Sequence, residues 1–557
     1  MLFHYIKSIT IIINTMFSDK KNILQTVALL KEYGVKHIII SPGSRNAPLI
    51  QTFTQDPFFE CQLIVDERNA AFFALGIIQY TRQPAAVCCT SGSALLNYAP
   101  AVAEAYYQQL PLIIISADRP QEWIGQMDGQ TMQQINVFAS YIRKSVHLPE
   151  VHSELNEWFC NRLVNEALIA CNSNISGPVY INIPISEPLF NYTVENLPEV
   201  RRISYSKPDK TVDIKPFADK WNIATKKMII IGQMFQKPVL IEALERLVES
   251  SGCIVLSEHL ANSNSEEFIH NFDRILYKST EKDKKKLYPE LLISFGGHIV
   301  SKRLKSFLRE NQPENHWYLS NNNEVVDLFM SLTDLIETDI SDFIHRLANS
   351  SNITKESYNY SNLWFYKSTR IAEPGNGKDF SDISAIRLFL KRLTEKSQLI
   401  IANSSTVRNV QFFNLDRSIT IYCNRGINGL EGTLASATGF ASVCKEPVYL
   451  IIGDLSFFYG VNSLWNIEHI KNLRILLINN KGGGIFRSIS ELDKLENLNR
   501  FVTATHDSNA EKWLEAASVK YMQAKNKRQL SKSLNMFMNK KIEASMCLEV
   551  ITEIKNY

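Results

Sequence analysis

From residue 22 onward the apolar positions change their period in a regular way. "NILQTVALLKEYG" spaces them along one helix face and closes on glycine, and "VKHIII" follows as a β-branched run. The alternation continues with strand "CQLIVDE", helix "RNAAFFALGIIQY", strand "AAVCCT", helix "ALLNYAPAVAEAYYQQL" and strand "PLIIISA". "GPVYINIPI" (177–185) reads as the last strand of this stretch. Strands that are apolar throughout, with helices between them, predict a parallel sheet covered on both faces. Functional residues in such sheets gather at the carboxyl ends of strands. Here those ends carry Ser41–Asn46, Asp66-Glu67, Thr90–Ser93 and Asp118-Arg119, a polar rim on an apolar sheet.

The rhythm recurs twice. The charged, proline-containing stretch 199–215 reads as a linker, and strands are then expected at "KMIIIGQ", "GCIVLSEH", "ELLISFGG" and "HWYLSN". No G-x-G-x-x-G marks a strand-to-helix turn there, and Gly296-Gly297 alone favours a structural domain without a dinucleotide. "TRIAEPGNGKDFSD" reads as a second linker, followed by strands at "QLIIANSS", "ITIYCNRG", "PVYLIIGD" and "RILLINNKGGG". The fold class expected is therefore α/β, three doubly wound parallel-sheet domains over 16–198, 216–350 and 378–557. Residues 1–15 read as an N-terminal extension before a second methionine, Met16, with Ser18-Asp19-Lys20 as a helix N-cap.

Length agrees, since 557 residues exceed what one core organises. Composition then removes function classes. A net charge of +3 gives no global reason to bind nucleic acid, so any anion site must be local. Nine cysteines, with Cys88 and Cys89 adjacent and no C-x-x-C pair, suit a reducing cytoplasm better than a disulfide framework or a zinc site. The apolar part of "MLFHYIKSITIIINTMFSDKK" falls well short of the roughly 20 residues of a membrane span, so no stable membrane insertion is expected.

The richest stretch is "GDLSFFYGVNSLWNIEHIKNLRILLINNKGGGIF", 453–486. One strand ends in Gly453-Asp454 and the next in Asn479-Asn480 before three glycines, so Asp454 and Asn480 should lie side by side at one sheet edge. A carboxylate and an amide oxygen suit a hard cation such as Mg²⁺, and the glycines allow close backbone approach.

This spacing resembles the diphosphate-binding signature of the thiamine-diphosphate enzymes, Gly-Asp-x followed some two dozen residues later by Asn-Asn. Leu455 stands where that family most often has glycine. "SPGSRNAPL", "DERNAAFFALG", "TSGSA", "SADRP", "NSSTVRN", "NRGINGLEG", "GDLS" and "NNKGGGIF" together resemble its menaquinone-pathway branch, over the whole chain from Met16. The resemblance implies a transferase that decarboxylates 2-oxoglutarate and adds the succinyl-semialdehyde carbanion to isochorismate in a 1,4-addition. It names 16–198 the pyrimidine-binding domain, 216–350 the central domain and 378–557 the diphosphate-binding domain. Thiamine diphosphate and Mg²⁺ or Mn²⁺ are the implied cofactors. A homodimer or a dimer of dimers, with active sites shared between copies, is the implied assembly.

The resemblance also implies roles. Glu67 is the catalytic glutamate that bonds the aminopyrimidine. Ser404, Asn428, Leu430, Asp454, Leu455, Ser456, Asn480 and Gly482 hold the cofactor, with Asp454, Asn480 and Gly482 on the metal and Leu430 wedging the cofactor into its bent form. Ser44, Arg45, Arg119, Gln130, Lys302, Arg303, Ser404, Arg408, Arg425, Ile485 and Phe486 line the substrate pocket, and arginine's planar fork suits two dicarboxylates. Gly129 replaces an asparagine of the family. Each basic residue has a plainer reading: Arg119 as an ion-paired cap, and Lys302/Arg303 as a solvated face of the basic "SKRLKSFLRE". The alternatives are another thiamine-diphosphate 2-oxoacid decarboxylase or an acetolactate-type synthase, opposed by the arginine-rich rim. A nucleotide-linked oxidoreductase is opposed by the missing G-x-G-x-x-G, and a regulatory protein with a decayed site by the intact Glu67, Asp454 and Asn480.

Overall fold

The computed structural model describes residues 16–553 apart from 207–210, 264, 417, 466, 468, 490–491 and 542. The expected extension, 1–15, lies outside the described residues, as does part of the linker at 199–215. The chain divides into two compact units, 1–74 with 82–205, and 75–81 with 206–557.

In the first unit β1 (Phe17–Ser18) comes before β2 (His37–Ile40), β3 (Glu60–Leu63), β4 (Ala85–Cys89), β5 (Leu112–Asp118), β6 (Lys144–His147), β7 (Val179–Pro184) and β8 (Tyr192–Val194). β2–β7 form one six-stranded sheet in the order β3-β2-β4-β5-β7-β6, parallel throughout. Its strands are apolar at consecutive positions because both faces are covered: Ile38, Ile39 and Ile40 are all buried, as are Ile113, Ile114 and Ile115. Val27, Leu30, Val164 and Leu168 close one face from the helices Lys21–Glu32 and Glu154–Cys171.

Three expectations are corrected in this unit. The helix drawn through 94–110 is two helices, Ser93–Asn97 and Ala99–Gln108, because Pro100 has no N–H to continue the first and suits the opening turn of the second. "GPVYINIPI" is not the last strand, since β8 follows and pairs antiparallel with β1 in a separate two-stranded sheet. Ser18 belongs to β1, and Lys20 holds the N-cap position without a side-chain bond.

The second unit contains two further sheets. β9 (Lys227–Ile231), β10 (Ile254–Ser257), β11 (Leu291–Phe295), β12 (Asn315–Ser320) and β13 (Asp334–Glu337) pair in the order β10-β9-β11-β12-β13, all parallel. β14 (Gln398–Ile401), β15 (Thr420–Tyr422), β16 (Val448–Gly453), β17 (Leu473–Asn479), β18 (Lys520–Ala524) and β19 (Met546–Ile551) pair as β15-β14-β16-β17-β19-β18, again all parallel. The three main sheets are thus parallel and α/β, as the apolar runs predict. No helix among the described residues is long and apolar enough to cross a membrane.

Candidate active site

The rim of the first sheet forms as expected: the turns after β2, β3, β4 and β5 carry the four polar segments. Glu67 begins the helix Glu67–Thr81. It is half-buried, and burial foremost raises its pKa above the ordinary carboxylate range, with Asp66 adding to the shift. Asn97 Nδ2 donates to its Oε2 at 3.5 Å. Arg45 is 5% exposed, donating to Ile185 O at 2.9 Å and Glu187 Oε1 at 3.1 Å. Burial lowers its pKa, with a further push from nearby Arg119. Arg119 is ion-paired with Asp128 at 3.3 Å and donates to Gly129 O at 3.0 Å. Ser44 and Gln130 are exposed, and Gln130 holds a φ of +53°.

A buried network that the sequence did not announce fixes this rim. Gln134 accepts from Gly92 N at 2.8 Å and donates to Asn182 Oδ1 at 2.9 Å, while Asn182 Nδ2 donates to Asp118 Oδ2 at 2.7 Å. The turn after β4 is thereby tied to the end of β5.

In the second unit Gly453 of β16 lies opposite Ile478 of the parallel β17, so Asp454 and Asn480 leave adjacent strands at the same edge. Both are buried. Asp454 Oδ2 accepts from Gly482 N at 2.9 Å, which folds the glycine loop back over the strand ends. Gly482 has φ +145°, and a Cβ there would meet Thr503 O at 2.7 Å, so no side chain fits. Asn480 Nδ2 donates to Asp382 Oδ2 at 2.7 Å, and its Oδ1 is buried with no hydrogen-bond partner among the described residues. Asn479 is anchored in the same manner, donating to buried Glu549 at 2.7 Å. No cluster of three His, Cys, Asp or Glu suited to a metal occurs among the described residues. One carboxylate, one unpartnered amide oxygen and a bare backbone form an incomplete hard-oxygen set, which fits a cation that also takes ligand phosphate oxygens and water.

Beside this edge lies a cavity of about 780 Å³, lined by Asp273, Tyr277, Lys302, Arg303, Asp382, Arg408, Phe412, Asn480 and Ile485 among others. Five of the expected residues, Lys302, Arg303, Arg408, Asn480 and Ile485, therefore share one cavity. Arg303 is held at 2.7 Å by Asp273, whose side chain is 8% exposed, and its guanidinium lies over Tyr277. Lys302 and Arg303 are thus a cavity wall as well as a helix face. Arg408, on the helix Ser405–Val410, donates to Ser404 O at 2.7 Å, and Ser404 caps that helix at φ +72°. Buried Arg425 donates to Asn403 Oδ1 at 3.0 Å, and its Nε has no hydrogen-bond partner among the described residues. Burial foremost lowers the Arg408 pKa, and the positive field of Arg425 lowers it further, while the Glu258 carboxylate lies within the field of Arg425. Ser404, Arg425 and Phe486 are not among the lining residues. Phe486 shares the short helix Gly484–Ser488 with Ile485. Asn428 holds a φ of +62°, Leu430 is 43% exposed, and Ser456 donates its hydroxyl to the Leu430 carbonyl. Leu455 donates its N–H to Asp454 Oδ1 at 2.6 Å.

Comparison with known proteins agrees with this geometry. Residues 25–140 match the family "Thiamine pyrophosphate enzyme, N-terminal TPP binding domain", 200–401 "Middle domain of thiamine pyrophosphate" and 404–550 "Thiamine pyrophosphate enzyme, C-terminal TPP binding domain". A solved benzoylformate decarboxylase from Polynucleobacter necessarius superposes with TM-score 0.72 over 97% of this chain and 100% of its own, at 17% identity, a likeness of fold. Sheets, strand-end acids and family matches together define a thiamine-diphosphate enzyme. Proteins named 2-succinyl-5-enolpyruvyl-6-hydroxy-3-cyclohexene-1-carboxylate synthase are 44% identical in Bacteroides thetaiotaomicron (96% of this chain, 97% of the relative) and 43% in Phocaeicola vulgatus (97% and 96%). The one from Flavobacterium psychrophilum is 39% identical (94% of each). The chain belongs to this synthase family.

Proposed function

We propose that the protein decarboxylates 2-oxoglutarate and joins the four-carbon remainder to isochorismate by 1,4-addition, the synthase step of menaquinone biosynthesis. The observation that carries this reading is the cavity beside the strand ends, where the basic Lys302, Arg303 and Arg408 share a wall with the buried Asp382–Asn480 pair. Thiamine diphosphate, when bound, supplies a stabilised carbanion equivalent at its thiazolium carbon.

The chain's own residues do the rest. Asp454, Asn480 Oδ1 and the Gly482 backbone would hold Mg²⁺ or Mn²⁺, and Ser404, Asn428, Leu430, Leu455 and Ser456 would hold the cofactor, Leu430 as the apolar support for its bent form. Glu67, whose burial raises its pKa, would bond the aminopyrimidine nitrogen and share a proton with it. Arg408, Arg425, Lys302 and Arg303 neutralise substrate carboxylates, with Ser44, Arg45, Arg119 and Gln130 serving isochorismate. Ile485 and Phe486 exclude water. Self-association as a homodimer or a dimer of dimers accompanies this reading, as does a cytoplasmic location, which the nine free cysteines support.

The test is incubation with thiamine diphosphate, Mg²⁺ and 2-oxoglutarate, with and without isochorismate. Release of CO₂ and formation of the coupled product is expected. Neither in either condition overturns the reading. Pyruvate accepted in place of 2-oxoglutarate would favour the acetolactate-type alternative.

A further inference from the structure

The two amide atoms of Asn480 are nearly identical in shape, yet only the oxygen can hold a cation. Something must choose which one faces the site. Asp382 lies 98 residues earlier, at the first position of the helix Asp382–Leu390, and is 6% exposed. Its carboxylate can only accept, and it takes Asn480 Nδ2 at 2.7 Å on Oδ2 and the Thr552 hydroxyl on Oδ1. Thr552 follows β19, and its own N–H donates to Asn479 O at 3.0 Å. With the nitrogen taken, Asn480 Oδ1 is left buried and unpartnered.

We propose that Asp382 is a positioning residue: it locks the Asn480 amide with the oxygen toward the cation, and Thr552 holds Asp382 in place. The inference rests on the assignment of Asp454 and Asn480 as cation ligands. An asparagine at 382 would offer both a donor and an acceptor, so Asn480 could turn its oxygen away without leaving a buried group unsatisfied.

The experiment titrates Mn²⁺ into metal-free protein at saturating thiamine diphosphate and reads free Mn²⁺ by electron paramagnetic resonance, with the melting temperature measured alongside. Asp382→Asn is expected to weaken Mn²⁺ binding about 10–100-fold. Thr552→Val is expected to weaken it in the same direction but less, and Asp382→Glu to recover part of the loss. Mn²⁺ affinity within twofold of wild type in Asp382→Asn overturns the inference, whatever its melting temperature. Should Asp382→Asn not fold, Thr552→Val carries the same comparison, and unchanged affinity there overturns it equally. No thiamine-diphosphate-dependent Mn²⁺ uptake by wild type overturns the site assignment itself, and the inference with it.

Discussion

The five-stranded sheet β9–β13 and the six-stranded sheet β14–β19 are built alike, parallel and apolar, with glycines and a buried acid at their strand ends. They use those parts differently. In the five-stranded sheet Gly232 and Gly297 press backbone on backbone: a Cβ on Gly232 would meet Gly297 O at 2.1 Å. The acid after β10, Glu258, is fully buried and spends its oxygens on Val300 N and Ser301 N, both at 2.7 Å. In the six-stranded sheet Gly482 loops back to Asp454, and Asn480 Oδ1 keeps no partner. A glycine and an acid at a strand end are therefore not a binding site. What sets the second apart is an open acceptor, the Asn480 amide oxygen, at the same edge as the Asp454 carboxylate; the open atoms near the first, such as Lys227 Nζ and His259 Nε2, are nitrogens.

The largest effect that would sharpen this contrast comes from Glu67→Gln, which keeps shape and removes the charge. Turnover should fall about 10²–10⁴-fold with the melting temperature unchanged, and a near wild-type rate would make Glu67 structural. Asp454→Ala should weaken Mg²⁺-dependent cofactor binding by roughly 100-fold in a calorimetric titration. Equal binding would erase the difference between the sheets. Arg408→Ala should lower kcat/KM by about 10–100-fold, mainly through KM for a dicarboxylate substrate, and unchanged kinetics for both substrates refute its role. Gly232→Ala should cost about 1–3 kcal/mol by overpacking, read by denaturant unfolding, with Mg²⁺ affinity unmoved. A shift in that affinity would give the five-stranded sheet a part in cofactor binding.

The smallest effect concerns Glu258. Burial pushes its pKa from 4.5 up to about 7, against the pull of the Val300 and Ser301 amides, Lys305 and Arg425. The native state then holds a proton more tightly than the unfolded chain, so its contribution is full below about pH 4.5 and fades as pH rises through 7. Glu258→Gln should lose less melting temperature than wild type between those limits. Parallel curves would show that Glu258 does not titrate there.

Much of this was legible in the chain. Apolar runs marked the central strands because both sheet faces are buried, and Asp454 with Asn480 could be paired because adjacent parallel strands end at one edge. Strands β6, β13 and β18 were missed because their short sequences mix polar with apolar residues, as in "KYMQA", and leave side chains partly exposed, whereas the edge strands β3, β10 and β15 carried apolar runs. β19 was missed because Glu549 interrupts its apolar run, an acid that Asn479, Tyr521 and the Ala510 N–H satisfy there. Among site residues, Arg408 and Asn480 carried motif signals. Asp382, Asp273 and Gln134 carried none, since each acts on a partner distant in sequence or through a bond that no local pattern encodes.

What the sequence alone determined is the period of its apolar positions, hence three parallel sheets, and the chemical identity of the groups at their ends. Only the tertiary structure decided which of those groups are satisfied by the protein and which stay open. That depends on buried partners 70 and 98 residues apart, Glu549 for Asn479 and Asp382 for Asn480. Local propensity cannot record such pairings, because the energy of a buried polar atom is set by what folding brings beside it.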